Sequence, residues 1–267
     1  MQSKNRTVLI VVIVAVGVLV CCCALIVAAA VAGILSTAPL SQEGGIGRVA
    51  ERTEQTFTVD DAPTLGAETF AGNVTVRRGA SGQIRIVLTK RAVNSNRLEA
   101  IDIDIEERDD EVRIEASKPG GLTSNVSVSF EIYAPADAEL DLETGAGNVR
   151  VNDVDGEIAA HTGAGNVTVE GATGPVALDT GAGNIRYDGE PMDRCAFKTG
   201  TGNVTLVLPG DVDAEVELDT GIGNIDLGGF AVAGDVSRTE VDGRIGTGED
   251  ATIRAETGAG NINLERQ

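Results

Sequence analysis

The sequence predicts an all-β solenoid preceded by one apolar helix, and three observations carry that prediction. A motif of the form Thr-Gly-x-Gly-Asn-(Val/Ile) recurs six times in the C-terminal half, and a fixed period of this size marks stacked repeats rather than a single globular core. The composition has 34 glycines, 3% aromatic residues and no Trp. That describes many short strands joined by tight turns around a thin core of Val, Ile, Leu, Ala and Thr. After residue 36 the apolar residues alternate with polar ones at period two, and no segment carries a helical pattern.

The chain opens with residues 1–6, a short tail holding Lys4 and Arg6, the only charges before Glu43. Thr7 to Leu35 is 29 residues without a charge. At ~1.5 Å rise per residue such a run exceeds the ~30 Å hydrocarbon core of a bilayer, so 7–36 reads as a transmembrane helix. Ser36 to Glu43 lacks Lys and Arg, and the positive-inside rule then puts residues 1–6 in the cytoplasm and the rest outside. The expected location is the cell membrane, single-pass, with an extracellular domain. Two rival readings exist. A cleaved signal peptide could be cut at Ser36-Thr37-Ala38, but its apolar region should be roughly 7–15 residues. A lipoprotein signal would place lipid on Cys21, where the bulky Val20 precedes it. Cys22 and Cys23 share the apolar run, and Cys195 is the only other Cys, so the domain forms no internal disulfide.

Residues 37–54, with Pro39, Gly44, Gly45 and Gly47, read as a flexible stalk. Alternating segments follow without a fixed period, among them Gln83–Leu88, Ile101–Ile105, Glu111–Ala116 and Val126–Tyr133. The regular repeats occupy 139–267 within a domain expected over 55–267. Their motifs begin at Thr144, Thr162, Thr180, Thr199, Thr220 and Thr257, in steps of 18, 18, 19, 21 and 37 residues. The last step reads as two units, with a degenerate copy near Thr239. Thr69-Phe-Ala-Gly-Asn-Val is an earlier copy, and each coil takes about 18–21 residues.

Parity shows how one coil is built. Leu140 and Leu142 share the parity of Thr144, whereas Val149 and Val151 after the motif have the opposite parity. Two strands of opposite parity meeting at Gly-x-Gly require a corner there. The corner glycines are Gly145 and Gly147, Gly163 and Gly165, Gly181 and Gly183, Gly200 and Gly202, Gly221 and Gly223, and Gly258 and Gly260. A second turn, Asp153–Gly156 or Gly171–Gly174, closes the coil. In-register stacking then makes parallel sheets around a narrow aliphatic core. It also aligns Asn148, Asn166, Asn184, Asn203, Asn224 and Asn261 in one column at ~4.8 Å spacing, close enough for a ladder of side-chain amides.

The repeated Thr-Gly-x-Gly-Asn-Val units, with the lead-in Phe130-Glu-Ile-Tyr-Ala-Pro and Glu139-Leu-Asp-Leu-Glu-Thr-Gly, resemble the bacterial putative-adhesin family. That is a domain-of-unknown-function group of β-solenoid surface proteins, and the likeness covers roughly 55–267. It implies a right-handed parallel β-helix and a cell-envelope role, with some relatives in Lia-type envelope-stress systems. It supplies no catalytic residues to carry over.

Charge narrows the function classes. Without Lys4 and Arg6, the 21 basic side chains fall to 19 against 41 acidic ones, a net of −22. Such a surface repels nucleic acid and favours basic or cation-bridged partners. His161 is the only His; its column holds Glu143, Asp179, Lys198, Asp219 and Glu256, so it reads as repeat drift rather than a catalytic base. One His and one usable Cys cannot complete a zinc site, and Cys195 reads as a buried inert thiol. No helix follows any Gly-x-Gly, as a dinucleotide site needs, and Val or Ile stands where calcium-binding rolls place Asp. Carboxylates such as Asp102, Asp104, Glu106 and Glu107 read as a solvated face. The expectation is a noncatalytic, membrane-anchored envelope surface protein that is adhesin-like, scaffolding or stress-related, without a cofactor. Expected partners are the membrane, cell-wall polymers, basic or cation-bridged envelope partners, or a membrane protein. The alternative is a polysaccharide lyase or hydrolase with an acidic groove, betrayed by convergent carboxylates and Arg in a cleft.

Overall fold

A computed structural model describes residues 49–118 and 125–267. The chain runs through β1 (Val49–Thr58), β2 (Thr64–Thr69), β3 (Val74–Arg78), β4 (Gln83–Ala92), the short helix α1 (Ser95–Glu99), β5 (Asp102–Arg108), β6 (Glu111–Ser117) and β7 (Val126–Ala134). Four regular coils follow. They are β8 (Glu139–Ala146) with β9 (Val149–Asn152), β10 (Ile158–Ala164) with β11 (Val167–Ala172), β12 (Val176–Ala182) with β13 (Ile185–Gly189), and β14 (Asp193–Thr201) with β15 (Val204–Leu208). The last elements are β16 (Ala214–Ile222), β17 (Ile225–Asp226), β18 (Val232–Val236), β19 (Glu240–Ile245), β20 (Ala251–Ala259) and β21 (Ile262–Arg266).

Each coil contributes one strand to each of two sheets, because the Gly-x-Gly corner flips the side-chain parity between them. Leu140, Leu142 and Thr144 before the corner and Val149 and Val151 after it are all buried. Stacking is parallel and in register, with Ile158 beside Leu140 and Val176, and Thr162 beside Thr144 and Thr180. Every inward residue therefore meets its counterpart above and below, and the aliphatic core runs the length of both sheets. A lone coil could not bury these side chains, each worth ~1.5–3 kcal/mol when fully buried. Tyr187 and Phe197, both inward as their parity predicts, pack with ring centres 5.3 Å apart, and Cys195 is buried beside them.

The sheet orders reveal what the period alone does not. The first sheet reads β1-β4-β7-β3-β9-β11-β13-β15-β21-β17, and the second β18-β19-β16-β20-β14-β12-β10-β8-β2-β6-β5. At both ends the chain skips one place, lays down outer strands, then returns to fill the gap. The β20–β21 coil lies between the β14–β15 and β16–β17 coils, although it comes last in sequence. At the other end the β6–β7 pair lies outside β2–β3, and antiparallel strands cover it: β4 and β1 on the first sheet, β5 on the second.

Several expectations change. The 37-residue step holds no degenerate coil; it contains the antiparallel hairpin β18–β19, whose turn carries Thr239. That turn caps the last corner, since Thr239 and Arg238 carbonyls accept from the Thr220 and Ile225 N–H groups at 2.9 Å. Residues 49–54 belong to β1 rather than to a stalk, because their alternation lets one face pack while the other meets solvent. Helix α1 breaks the all-strand expectation; Asn94 caps it, its side chain accepting from the Arg97 N–H, and Leu98 anchors it in the core.

The expected single-pass membrane location is also corrected. Among the described residues no helix is long and apolar enough to cross a membrane, and α1, at five residues, spans only about 7.5 Å. Thr7–Leu35 and the stalk residues 37–48 lie outside the described residues.

Candidate functional site

Two surfaces are built by the repeat: the corner ridge, and the outer face of the second sheet. On the ridge, Asn148 donates its backbone N–H to Asn73 Oδ1 at 3.0 Å, and Asn166, Asn184, Asn203, Asn261 and Asn224 continue the chain at 2.8–3.0 Å. All six expected asparagines stand in one column, joined by Asn73. The ladder differs in kind from the expected one: it is chiefly side chain to backbone. Amide-to-amide bonds appear only at Asn148 and Asn184, at 3.4 and 3.2 Å. The backbone N–H is fixed by the corner and points along the stack, so it occupies the acceptor first.

The corner glycines mark where coils come closest. At Gly183, φ is +155° and a Cβ would fall on the Gly165 carbonyl oxygen. The first glycine of each corner is confined by contact alone: a Cβ on Gly163 would sit 2.5 Å from the Gly145 oxygen. The ridge is thus a bare backbone surface of Gly, small residues and Asn, broken by Ile222, which is 76% exposed.

The threonine column carries bonds that parity reasoning overlooked. Thr144, Thr162, Thr180, Thr199, Thr257 and Thr220 are buried, and each hydroxyl donates to the second corner glycine of the adjoining coil at 2.8–2.9 Å. The signal was present in the sequence, because a polar residue at an inward position requires a partner.

On the second sheet one outward row runs in register through Glu115, Glu68, Glu143, His161, Asp179, Lys198, Glu256, Asp219 and Glu240. His161 is exposed, its Nδ1 3.3 Å from Asp179, and its neighbours are the charged residues expected. Lys198 and Arg254 lie 3.7 and 2.6 Å from Glu256, and Arg254 also reaches Glu217 at 3.1 Å. Toward the other end carboxylates outnumber the nearby cation, Arg113. Burial, and then the Glu143 and Glu115 carboxylates on either side, hold the Glu68 pKa above its ordinary value. Glu170 and Asp188 pair with each other on the first sheet, so they face away from this row.

Beside the row lies an open groove of about 580 Å³. Its floor is Val176, Ala177 and Ala196, and Glu157, Asp193, Arg194, Glu249 and Asp250 surround it. The loop 246–250 forms one wall because Asp213 holds it. The Asp213 carboxylate accepts from Thr247 N–H and Oγ1 at 2.9 and 2.7 Å, from Glu249 N–H at 2.9 Å, and from Gly248 N–H. Led by Thr247, these donors hold its pKa down to about 2.

Among solved structures, a putative cell adhesion protein from Clostridium sporogenes is 14% identical, with a TM-score of 0.48 over 81% of this chain and 100% of its own. A putative adhesin from Bacteroides fragilis is 13% identical, with a TM-score of 0.40 over 80% and 97%. A putative lipid binding protein from Parabacteroides distasonis is 10% identical, with a TM-score of 0.31 over 80% and 96%. No curated protein matches the chain. The repeated corners, with their threonine, glycine and asparagine columns, fall within residues 67–267, which match the Toastrack DUF4097 family, and the chain belongs to that family.

Proposed function

We propose that this chain is a noncatalytic binding module of the bacterial cell envelope, adhesin-like or scaffolding, whose working surface is the acidic outer face of the second sheet. The observation that carries the reading is the outward row from Glu115 to Glu240, one ionisable side chain per strand in unbroken register and most of them carboxylates. Strands ~4.8 Å apart present such a row as a rigid comb, suited to many weak contacts acting together. The sign of the charge selects basic groups or cation-bridged polymers of the wall, and it disfavours nucleic acid.

The test is binding of the full chain to isolated envelopes and wall polymers across a salt series, beside the Asp179→Lys/Glu256→Lys variant. Binding should weaken as salt rises and fall several-fold in the variant. Binding indifferent to both would remove the acidic face as its cause. The groove beside Arg194 favours a second reading, a polysaccharide-active enzyme, since Glu157, Asp193, Glu249 and Asp250 gather there. Cleavage of a wall polysaccharide that is lost in Asp193→Asn or Glu249→Gln would establish that reading instead.

A further inference from the structure

We propose that β1 is the contact edge of a two-fold dimer, in which the first sheets of two copies join antiparallel through β1, centred on Thr53. Among the described residues β1 is the outermost strand of its sheet. Its register on β4 runs from Val49 opposite Ala92 to Thr58 opposite Gln83, and one step beyond, Val59 donates to the Gly82 carbonyl at 3.1 Å. Antiparallel pairs alternate between bonded and non-bonded, so the odd residues of β1 bond β4. Ala50, Arg52, Glu54 and Thr56 therefore aim their N–H and C=O groups away from the sheet, at an open edge.

The other edges are protected, whereas among the described residues nothing covers this one. On β5, Asp102, Asp104 and Glu106 share one face, so a second copy would meet like charges. The first sheet ends elsewhere in β17, two residues long, and β18 is a five-residue strand interrupted by Gly234. By contrast, β1 is ten residues long and self-complementary. Centred on Thr53, the pairing sets Arg52 opposite Glu54 of the second copy, and Glu54 opposite its Arg52. Ala50 then faces Thr56, and on the other side Val49 faces Phe57. Four residue pairs exchange two backbone bonds each. A shift to either adjacent bonded register stacks Arg52 on Arg52 or Glu54 on Glu54, which charge repulsion rejects.

The sheet ends leave room for this contact. The first sheet carries two strands, β4 and β1, beyond β7, whereas the second carries only β5 beyond β6. A cleft of about 510 Å³ results, with Phe57, Ile86, Leu88, Ile103 and Ile105 as its apolar lining and Lys90, Asp104 and Glu107 among its polar lining. The odd face of β1 looks into it, half-buried along its whole length. A second β1 alongside would carry its own Val49 and Phe57 to the mouth of that cleft.

The experiment is sedimentation of the full chain in neutral detergent, which keeps the apolar N-terminal run in solution. The wild type should be dimeric at micromolar concentration, and Arg52→Glu and Glu54→Arg should each be monomeric. Their equimolar mixture and the Arg52→Glu/Glu54→Arg double variant should both recover the dimer, which also shows that each single variant folds. Thr53 lies on the two-fold axis as a non-bonded pair, where Cα atoms come within ~4.5 Å, so an oxidised Thr53→Cys chain should crosslink through position 53, mapped by mass spectrometry. A monomeric wild type, a dimer unmoved by either single change, or no crosslink at position 53 overturns the proposal.

Discussion

Gly183, Thr180 and Asn184 stand at one corner and meet the neighbouring coil in three ways, which ranks the damage expected from changing each. Gly183 has φ +155° and no room for a Cβ against the Gly165 carbonyl. Gly183→Ala should lower stability by about 3 kcal/mol or more, through backbone strain and forced separation of the coils. Thr180 is buried and bonds Gly165 at 2.8 Å. Thr180→Val keeps the shape and removes the donor, leaving the part-buried Gly165 carbonyl without it, so the loss should be about 1–2 kcal/mol. Asn184 is exposed and water can replace its bond to the Asn203 N–H at 2.9 Å, so Asn184→Ala should lose only about 0.5–1 kcal/mol. Urea unfolding against the outward Thr168→Ala control checks the order. If Thr180→Val and Asn184→Ala both matched the control, the hydrogen-bonded columns would not be holding the coils in register. The sequence made the asparagine column legible through its spacing. It did not show that the acceptor serves a backbone N–H, since that depends on the direction the corner gives the peptide.

The element that joins β19 to β20 depends on one carboxylate. Asp213 collects its bonds from Thr247, Gly248 and Glu249, and these hold its pKa down to about 2, against an ordinary value of ~3.9. A depressed pKa means the stabilisation is fully present above about pH 4 and is lost as pH falls from there toward 2. Asp213→Asn should therefore be less stable than the wild type by a constant amount above pH 4, with the difference shrinking below it. Urea midpoints of both chains at pH steps from 6 to 2.5 measure this. A difference that stays flat across that window would show that the loop does not rest on the ionised carboxylate. Strands were legible wherever alternation was strong, yet alternation says nothing of direction. Glu240-Val-Asp-Gly-Arg-Ile alternates as a coil strand does yet pairs antiparallel with β16 (Glu240 opposite Asp219), so the 37-residue step, two units long, suggests a degenerate repeat where a hairpin stands.

At the scale of the whole molecule, the order of coils in space departs from their order in sequence, and side-chain size enforces it. Phe197 on β14 stands next to Leu178 on one side and Ala255 on the other, with Leu218 one strand further out. Tyr187 already packs against the Phe197 ring. With Leu178 and Tyr187 already against Phe197, the small Ala255 suits the remaining neighbouring place, whereas β16 would bring the larger Leu218 there. The repeat period could not reveal this, because both coils carry the same Thr-Gly-x-Gly-Asn corner and differ at two inward positions, Val216 against Ile253 and Leu218 against Ala255. Ala255→Leu should accordingly destabilise the chain by about 1–3 kcal/mol through overpacking. A chain ending at residue 250 gives the sharper test. A simple stack would lose its last coil and remain otherwise intact. Here the loss removes the coil that joins β14 to β16, and Leu218 against Phe197 opposes closure of the gap. Residues 214–245 should then be cut rapidly in limited proteolysis, while 139–208 stay protected as in the full chain. Protection of 214–245 equal to that of the full chain would mean that β16 docks on β14 directly, and that the packing at Phe197 does not dictate the order of the coils.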